Sequence, residues 1–114
     1  MQVTFDEMGT VAVCHLVGSL ESATVGEFRE ALGQLNLGRP VIFVLESVPF
    51  VDSAGIGALI GAVRRIRELN GDAAVCSARP SVGRVLKMVG LSRIINVFDT
   101  LGEAADHFSG WTAA

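Results

Sequence analysis

A serine stands beside an aspartate in the stretch 51–57 (VDSAGIG), which follows an apolar run at 41–45 and opens a helical pattern reaching about Leu69. A hydroxyl at the turn from a buried strand into a helix is held rigidly on the surface, where functional residues concentrate. Three roles are open to Ser53. Its hydroxyl could attack a substrate, or it could accept a group that another enzyme transfers. Alternatively, Asp52 or Ser53 only caps the helix, since both residue types favour the N-cap position.

A serine hydrolase presents its nucleophile in the pattern G-x-S-x-G and needs a histidine base within reach. The residue two before Ser53 is Val51 rather than glycine, and the two histidines, His15 and His107, belong to no motif. We therefore expect no enzyme and no catalytic residue.

The glycines Gly55, Gly57 and Gly61 resemble a loosened dinucleotide fingerprint whose spacing is off by one. Asp72 opens a predicted strand instead of supplying a ribose-binding acid, and an isolated domain of this size lacks the second half of a dinucleotide fold. Close backbone packing and a smooth outer face explain the glycines better, with Ala58 as part of that face. The prediction is no cofactor.

Composition and charge exclude several other classes of function. Two cysteines and two distant histidines offer no metal-ligand spacing, and Cys14 and Cys76 lie in strand-like surroundings typical of buried, reduced thiols. The net charge of −3 gives no electrostatic footprint for nucleic acid. No segment approaches the roughly 20 apolar residues of a membrane span, and the N-terminus lacks a secretory pattern. A cytoplasmic protein without nucleic-acid or membrane partners is expected.

The elements that position Ser53 follow from hydrophobic periodicity. The 114 residues predict one domain, 1–114, with an ordered core at about 2–109 and a frayed tail. Strands are predicted at 3–5, 11–17, 41–45, 73–77 and 93–98. Helices are predicted at 25–35, from 53 to about 69, at 80–89 and at 101–108. The order ββαβαβαβα calls for an α/β fold with a mostly parallel, mixed sheet of about five strands and about four helices.

Two details of the pattern bear on the site. The run 41–45 shows no alternation, which is typical of a central strand covered on both faces. Thr24 with Glu27, and Thr100 with Glu103, have the spacing of capping boxes at helix starts.

The stretch 50–57 (FVDSAGIG) resembles the phosphoacceptor signature of STAS-domain anti-sigma factor antagonists, aromatic-x-D-S-[ST]-G-x-G. The loop 18–21 (GSLE) with Thr24 is similar to the G-E-L-D…T loop of that family. The segments 78–82 (ARPSV), 89–91 (VGL) and 95–98 are similar to its last helix and strand, so the resemblance covers nearly the whole chain.

The resemblance implies a STAS-like fold and a partner-switching role. In this family the unphosphorylated antagonist binds an anti-sigma factor that is also a serine kinase, and so frees a sigma factor. Phosphorylation breaks the complex, and a PP2C-type phosphatase restores it. By position, Ser53 is the phosphoacceptor. The expected partner-binding residues are Glu21, Ser22, Asp52, Ser53, Ala54, Gly55, Gly57, Ala58 and Gly61.

The chain departs from the family pattern at three positions. Ala54 replaces a second hydroxyl, which leaves Ser53 as the one acceptor in the motif. Glu21 replaces the usual aspartate, and Val44 stands where many relatives carry Asp or Asn. The alternative function is a STAS domain that serves as a ligand- or nucleotide-binding module or as an accessory to a transporter.

Overall fold

The computed structural model describes residues 1–111. The strands are β1 Gln2–Met8, β2 Val11–Val17, β3 Pro40–Ser47, β4 Asp72–Cys76 and β5 Asn96–Phe98. The helices are α1 Val25–Leu32, α2 Ser53–Glu68, α3 Pro80–Met88 and α4 Leu101–His107, with a short 3-10 helix at Leu91–Arg93. The predicted order of elements is confirmed.

The five strands form one sheet in the order β1-β2-β3-β4-β5. β1 pairs with β2 in antiparallel fashion, and every later pair is parallel. Two apolar clusters lie on opposite faces of this sheet. On β3, Val41, Phe43 and Leu45 join the cluster beneath α1, α2 and α3, while Ile42 and Val44 join the one beneath α4. The predicted central, doubly covered strand is therefore confirmed.

Several boundaries differ from the sequence prediction. β1 continues to Met8 through the predicted connection, so only Gly9 and Thr10 form the hairpin turn. The last strand begins at Asn96 because Gly90, with φ of 70°, starts a turn that buries Leu91 and Ile95 first. Trp111 is half-buried and packs against the cluster beneath α4, while residues 112–114, the end of the predicted frayed tail, lie outside the described residues.

The two predicted capping boxes have different outcomes. The Oγ1 atom of Thr100 accepts a hydrogen bond from the Glu103 N–H at 3.1 Å and caps α4. The capping box at Thr24 is wrong, because its hydroxyl donates to the Ser19 carbonyl at 2.7 Å and accepts from the Glu21 N–H at 3.0 Å. Those bonds close the loop before α1 instead of capping that helix.

The two thiols lie where the sequence predicts them. Cys14 and Cys76 are free and buried, on opposite faces of the sheet. Burial raises the pKa of the Cys14 thiol to about 12, so it stays protonated and packs as an apolar group.

Candidate functional site

The site forms where the loops that follow β2 and β3 run side by side at the carboxyl edge of the sheet. Leu20 and Val51 form an isolated parallel bridge. The Leu20 N–H donates to the Phe50 carbonyl at 2.9 Å, and the Asp52 N–H donates to the Leu20 carbonyl at 3.3 Å. These backbone bonds fix the entry into α2 and bring residues 18–24 against it.

Asp52 is the N-cap of α2 and ties the two loops together. Its Oδ1 atom accepts from the Gly55 N–H at 2.8 Å, and its Oδ2 atom accepts from the Ser22 N–H at 3.2 Å. The Gly55 N–H bond is the main cause that lowers the pKa of Asp52, with the Ser22 bond adding to it. Asp52 is therefore a fixed negative charge at neutral pH, and the capping role considered for it is real.

Ser53 is the first residue of α2, and it is exposed. Because Asp52 supplies the cap, the Ser53 hydroxyl is not required for it. The N-terminus of a 16-residue helix lies directly behind this hydroxyl. Unpaired N–H groups and the helix dipole at such a position favour a negatively charged group, including a phosphate.

The loop before α1 places two further predicted residues at the same edge. Ser22 is exposed, and its backbone is bonded to Asp52. Glu21 is half-buried next to it, and its N–H is held by the Thr24 hydroxyl. The structure therefore brings Glu21 and Ser22 together with the start of α2.

The predicted partner-binding residues along α2 separate into two groups. Gly55 is buried, and a Cβ there would overlap the Leu20 carbonyl oxygen and lie 2.7 Å from its carbonyl carbon. Ala58 is 3% exposed and belongs to the core. The prediction that Ala58 belongs to the smooth outer face is wrong, because α2 packs this residue into the core. The close backbone packing predicted for the glycines is confirmed at Gly55, which lies against the Leu20 backbone. Gly57 and Gly61 are exposed, and no atom of the described residues lies within 4 Å of a Cβ built on either.

Phe50 is a further exposed residue of the site, and the sequence contains a pattern that indicates its exposure. Phe50 is 53% exposed, although aromatic side chains of its size are usually covered. Pro49 and Phe50 follow the buried Val48 and precede the buried Val51. An aromatic side chain in such a short connection, without an apolar stripe to join, is the pattern that indicates its exposure.

The structure also bears on the hydrolase and metal hypotheses. His15 lies on β2 on the face covered by α4, 3.3 Å from Asp6, and His107 ends α4 itself. Both are therefore on the face of the sheet opposite to α2 and cannot serve Ser53 as a base. Among residues 1–111, no three His, Cys, Asp or Glu side chains are grouped to hold a metal ion. In the same range, no helix is long and apolar enough to cross a bilayer.

An antiparallel first strand, a parallel α/β sheet and an Asp-Ser turn at the start of a helix define one class of domain. The family model of the STAS domain matches residues 2–104, and the chain belongs to that family. Among its relatives, the anti-sigma F factor antagonist of Paenibacillus polymyxa is 28% identical over 102 residues, which is 87% of each chain.

Solved structures of other proteins share the fold, including the following three. The anti-sigma factor antagonist SpoIIAA in its unphosphorylated form aligns with a TM-score of 0.75 at 22% identity, over 97% of this chain and 99% of that chain. Its phosphorylated form from Bacillus aligns with a TM-score of 0.64 at 22% identity, over 93% and 98%. The murine anion transporter Slc26a9 aligns with a TM-score of 0.79 at 18% identity, over 92% of this chain and 18% of the transporter.

Proposed function

We propose that this protein is a cytoplasmic anti-sigma factor antagonist that binds an anti-sigma factor in its unphosphorylated form and thereby releases a sigma factor. The observation that carries the proposal is the exposed Ser53 hydroxyl at the start of α2, beside the fixed carboxylate of Asp52. The Paenibacillus relative is named an anti-sigma F factor antagonist. SpoIIAA, which shares the fold, has been solved both with and without phosphorylation.

In this proposal the protein is the substrate of a kinase and does no chemistry of its own. The anti-sigma factor, acting as a serine kinase, transfers the γ-phosphoryl group of ATP to Ser53. The Oγ–P bond forms, the bond to the β-phosphate breaks, ADP leaves, and the hydroxyl proton passes to a base of the kinase. A PP2C-type phosphatase hydrolyses the ester and returns the binding form.

The local electrostatics explain how one phosphate acts as a switch. It adds about −1.5 to −2 charges directly beside Asp52. Asp52 does not relieve the repulsion by turning away, because both of its carboxylate oxygens accept backbone hydrogen bonds. The helix N-terminus stabilises the phosphate in the free protein, whereas a partner surface matched to Asp52 and Glu21 meets the added charge. A 100-fold loss of affinity needs only about 2.8 kcal/mol.

The test is a binding and phosphorylation assay with each anti-sigma factor kinase of the source organism. We expect one kinase to bind the unphosphorylated protein and, with ATP, to add one phosphate that peptide mass mapping places on Ser53. Ser22 and Ser47 are matched controls, because both are exposed near the same edge of the sheet. Phosphate on either control, or equal affinity of the phosphorylated and unphosphorylated proteins, contradicts the proposal.

A second candidate function is the binding of a small anionic ligand or nucleotide. An open cleft of about 620 Å³ lies between α3 and β5, and Ser53 does not line it. Arg84, Lys87 and Phe98 line it and combine two positive charges with an aromatic surface, and Asp99 adds one negative charge. Saturable binding of ATP or GTP that the double variant Arg84→Ala/Lys87→Ala abolishes would favour this candidate over the first.

A further inference from the structure

An apolar groove of about 320 Å³ lies between α1 and α2, which we call the α1–α2 groove. Leu32, Ala58 and Ala62 supply apolar lining. Arg29 on α1 and Arg65 on α2 line it as well, so a positive charge stands on each of the two helices. The floor is apolar, and among residues 1–111 the charged groups that line it are these two arginines.

The two arginines of the groove are available to a partner. Both are exposed, and neither forms a salt bridge within residues 1–111. In the same part of the chain, Arg39 is paired with Glu7, and Arg67 with Asp72. Glu30 and Glu68 stand on the same helices but do not line the groove. Charge complementarity therefore calls for an acidic occupant.

A ridge of exposed residues on α2 connects the groove with the Ser53 site. Ser53, Gly57, Gly61 and Arg65 follow at four-residue spacing, and all four are exposed. This spacing forms one ridge of the helix that extends over about 18 Å at 1.5 Å per residue and turns around the axis by about 40° at each step.

The two glycines on this face are unexplained by the fold of the chain itself. Glycine in a helix interior is destabilising relative to alanine. Within residues 1–111, a Cβ at Gly57 or Gly61 would have nothing within 4 Å, so no contact in that part of the chain requires its absence. What the missing side chains permit is close approach of another backbone to α2, and Gly61 also lines the groove.

We propose that the α1–α2 groove receives an amphipathic helix of the anti-sigma factor, with acidic side chains at Arg29 and Arg65 and small residues against Gly57 and Gly61. A third helix fits here because the furrow between two packed helices accepts the side-chain ridge of another. A helix of about 12 residues spans the distance from Arg65 to Ser53. The identity of the partner rests on the proposed function, whereas the geometry of the groove does not.

This arrangement assigns two tasks to two ends of one surface. The arginine end distinguishes acidic partner helices from others, because like charges placed together in an interface strongly disfavour binding. The Ser53 end reports whether the protein is phosphorylated. One docked helix thus reads both partner identity and phosphorylation state.

The first test uses the anti-sigma factor kinase that binds the wild-type protein. We expect Arg29→Glu and Arg65→Glu each to lower its affinity about 10-fold and the double variant about 100-fold. Arg64→Glu is the matched control, because Arg64 is an exposed neighbour on α2 that does not line the groove. If the groove variants bind the kinase as tightly as this control and Ser53 is still phosphorylated, the groove is not the docking site. The proposed function is unaffected by that result.

The second test does not depend on the proposed function. A stapled helical peptide of about 12 residues, with alanines along one face and glutamates at one end, is titrated into the full ¹⁵N-labelled chain. We expect saturable amide shifts at Gly33, Gly61 and Ala62, which line the groove, and their loss in the Arg29→Glu/Arg65→Glu variant. Absence of these shifts, or equal binding of a peptide with lysines in place of the glutamates, overturns the proposal.

Discussion

Three glycines of α2 differ in their surroundings. Substitution by alanine should therefore destabilise the protein at one of them and stabilise it at the other two. Gly55, Gly57 and Gly61 all lie in one regular helix, so Gly→Ala changes only one methyl group at each position. At Gly55 that methyl would overlap the Leu20 carbonyl oxygen and lie 2.7 Å from its carbon and 3.1 Å from Leu20 Cγ. Two of these three atoms belong to a backbone that also pairs with Phe50 and Asp52.

The magnitudes follow from these surroundings. To admit the Gly55→Ala methyl group, the start of α2 or the preceding loop must shift, and overpacking of this kind costs about 3 kcal/mol. At Gly57 and Gly61 the methyl group meets no atom of residues 1–111. Helix propensity is then what changes, and each alanine should stabilise the protein by about 0.8 kcal/mol. That corresponds to a rise in Tm of roughly 4 °C for each substitution in a chain of this length.

Thermal and urea unfolding of the three alanine variants measure these differences, and partner affinity provides the second readout. Gly61→Ala should raise Tm and yet weaken binding of the anti-sigma factor, since the methyl group stands where the partner backbone approaches. A Gly55→Ala protein as stable as wild type would refute the packing argument. A Gly57→Ala or Gly61→Ala protein less stable than wild type would show that these glycines serve the fold instead of a partner.

Three other predictions concern the loops around Ser53. Ser53→Ala should bind the anti-sigma factor as tightly as wild type and take up no phosphate, while Ser53→Glu should bind at least about 10-fold more weakly; calorimetry with ATP absent decides this. The Asp52→Asn variant should be less stable than wild type at neutral pH, and its stability should fall less than that of wild type as the pH is lowered. The lowered pKa means that the Asp52 carboxylate stabilises the fold above its ordinary value of 3.8 and loses that effect as pH falls through the folded-state pKa. Parallel pH profiles of Tm for wild type and Asp52→Asn would contradict this role of the Asp52 carboxylate. Thr24→Val should lower stability by about 1–2 kcal/mol, because the bonds to Ser19 and Glu21 are lost; an unchanged urea midpoint would count against it.

Local periodicity was sufficient to predict the order of elements and the turn that carries Ser53. The apolar run at 41–45 indicated a strand covered on both faces, and alternate residues of β3 do join clusters on opposite sides of the sheet. Patterns of this kind depend on neighbours within one or two turns of chain. They were less reliable at Thr24, where a capping spacing was present but the hydroxyl closes a loop instead.

Whether each residue along α2 is buried or open to a partner depends on tertiary contacts. From the sequence, Gly55, Gly57, Ala58 and Gly61 form one run of small residues with one predicted role. The fold divides them, because the Leu20 backbone presses on Gly55 and α1 packs near Ala58, while Gly57 and Gly61 are left open. Such contacts join residues far apart in the chain, and no local pattern encodes them. The sequence by itself therefore determined the Asp-Ser turn and its helix, and the tertiary structure decided which side of that helix a partner can reach.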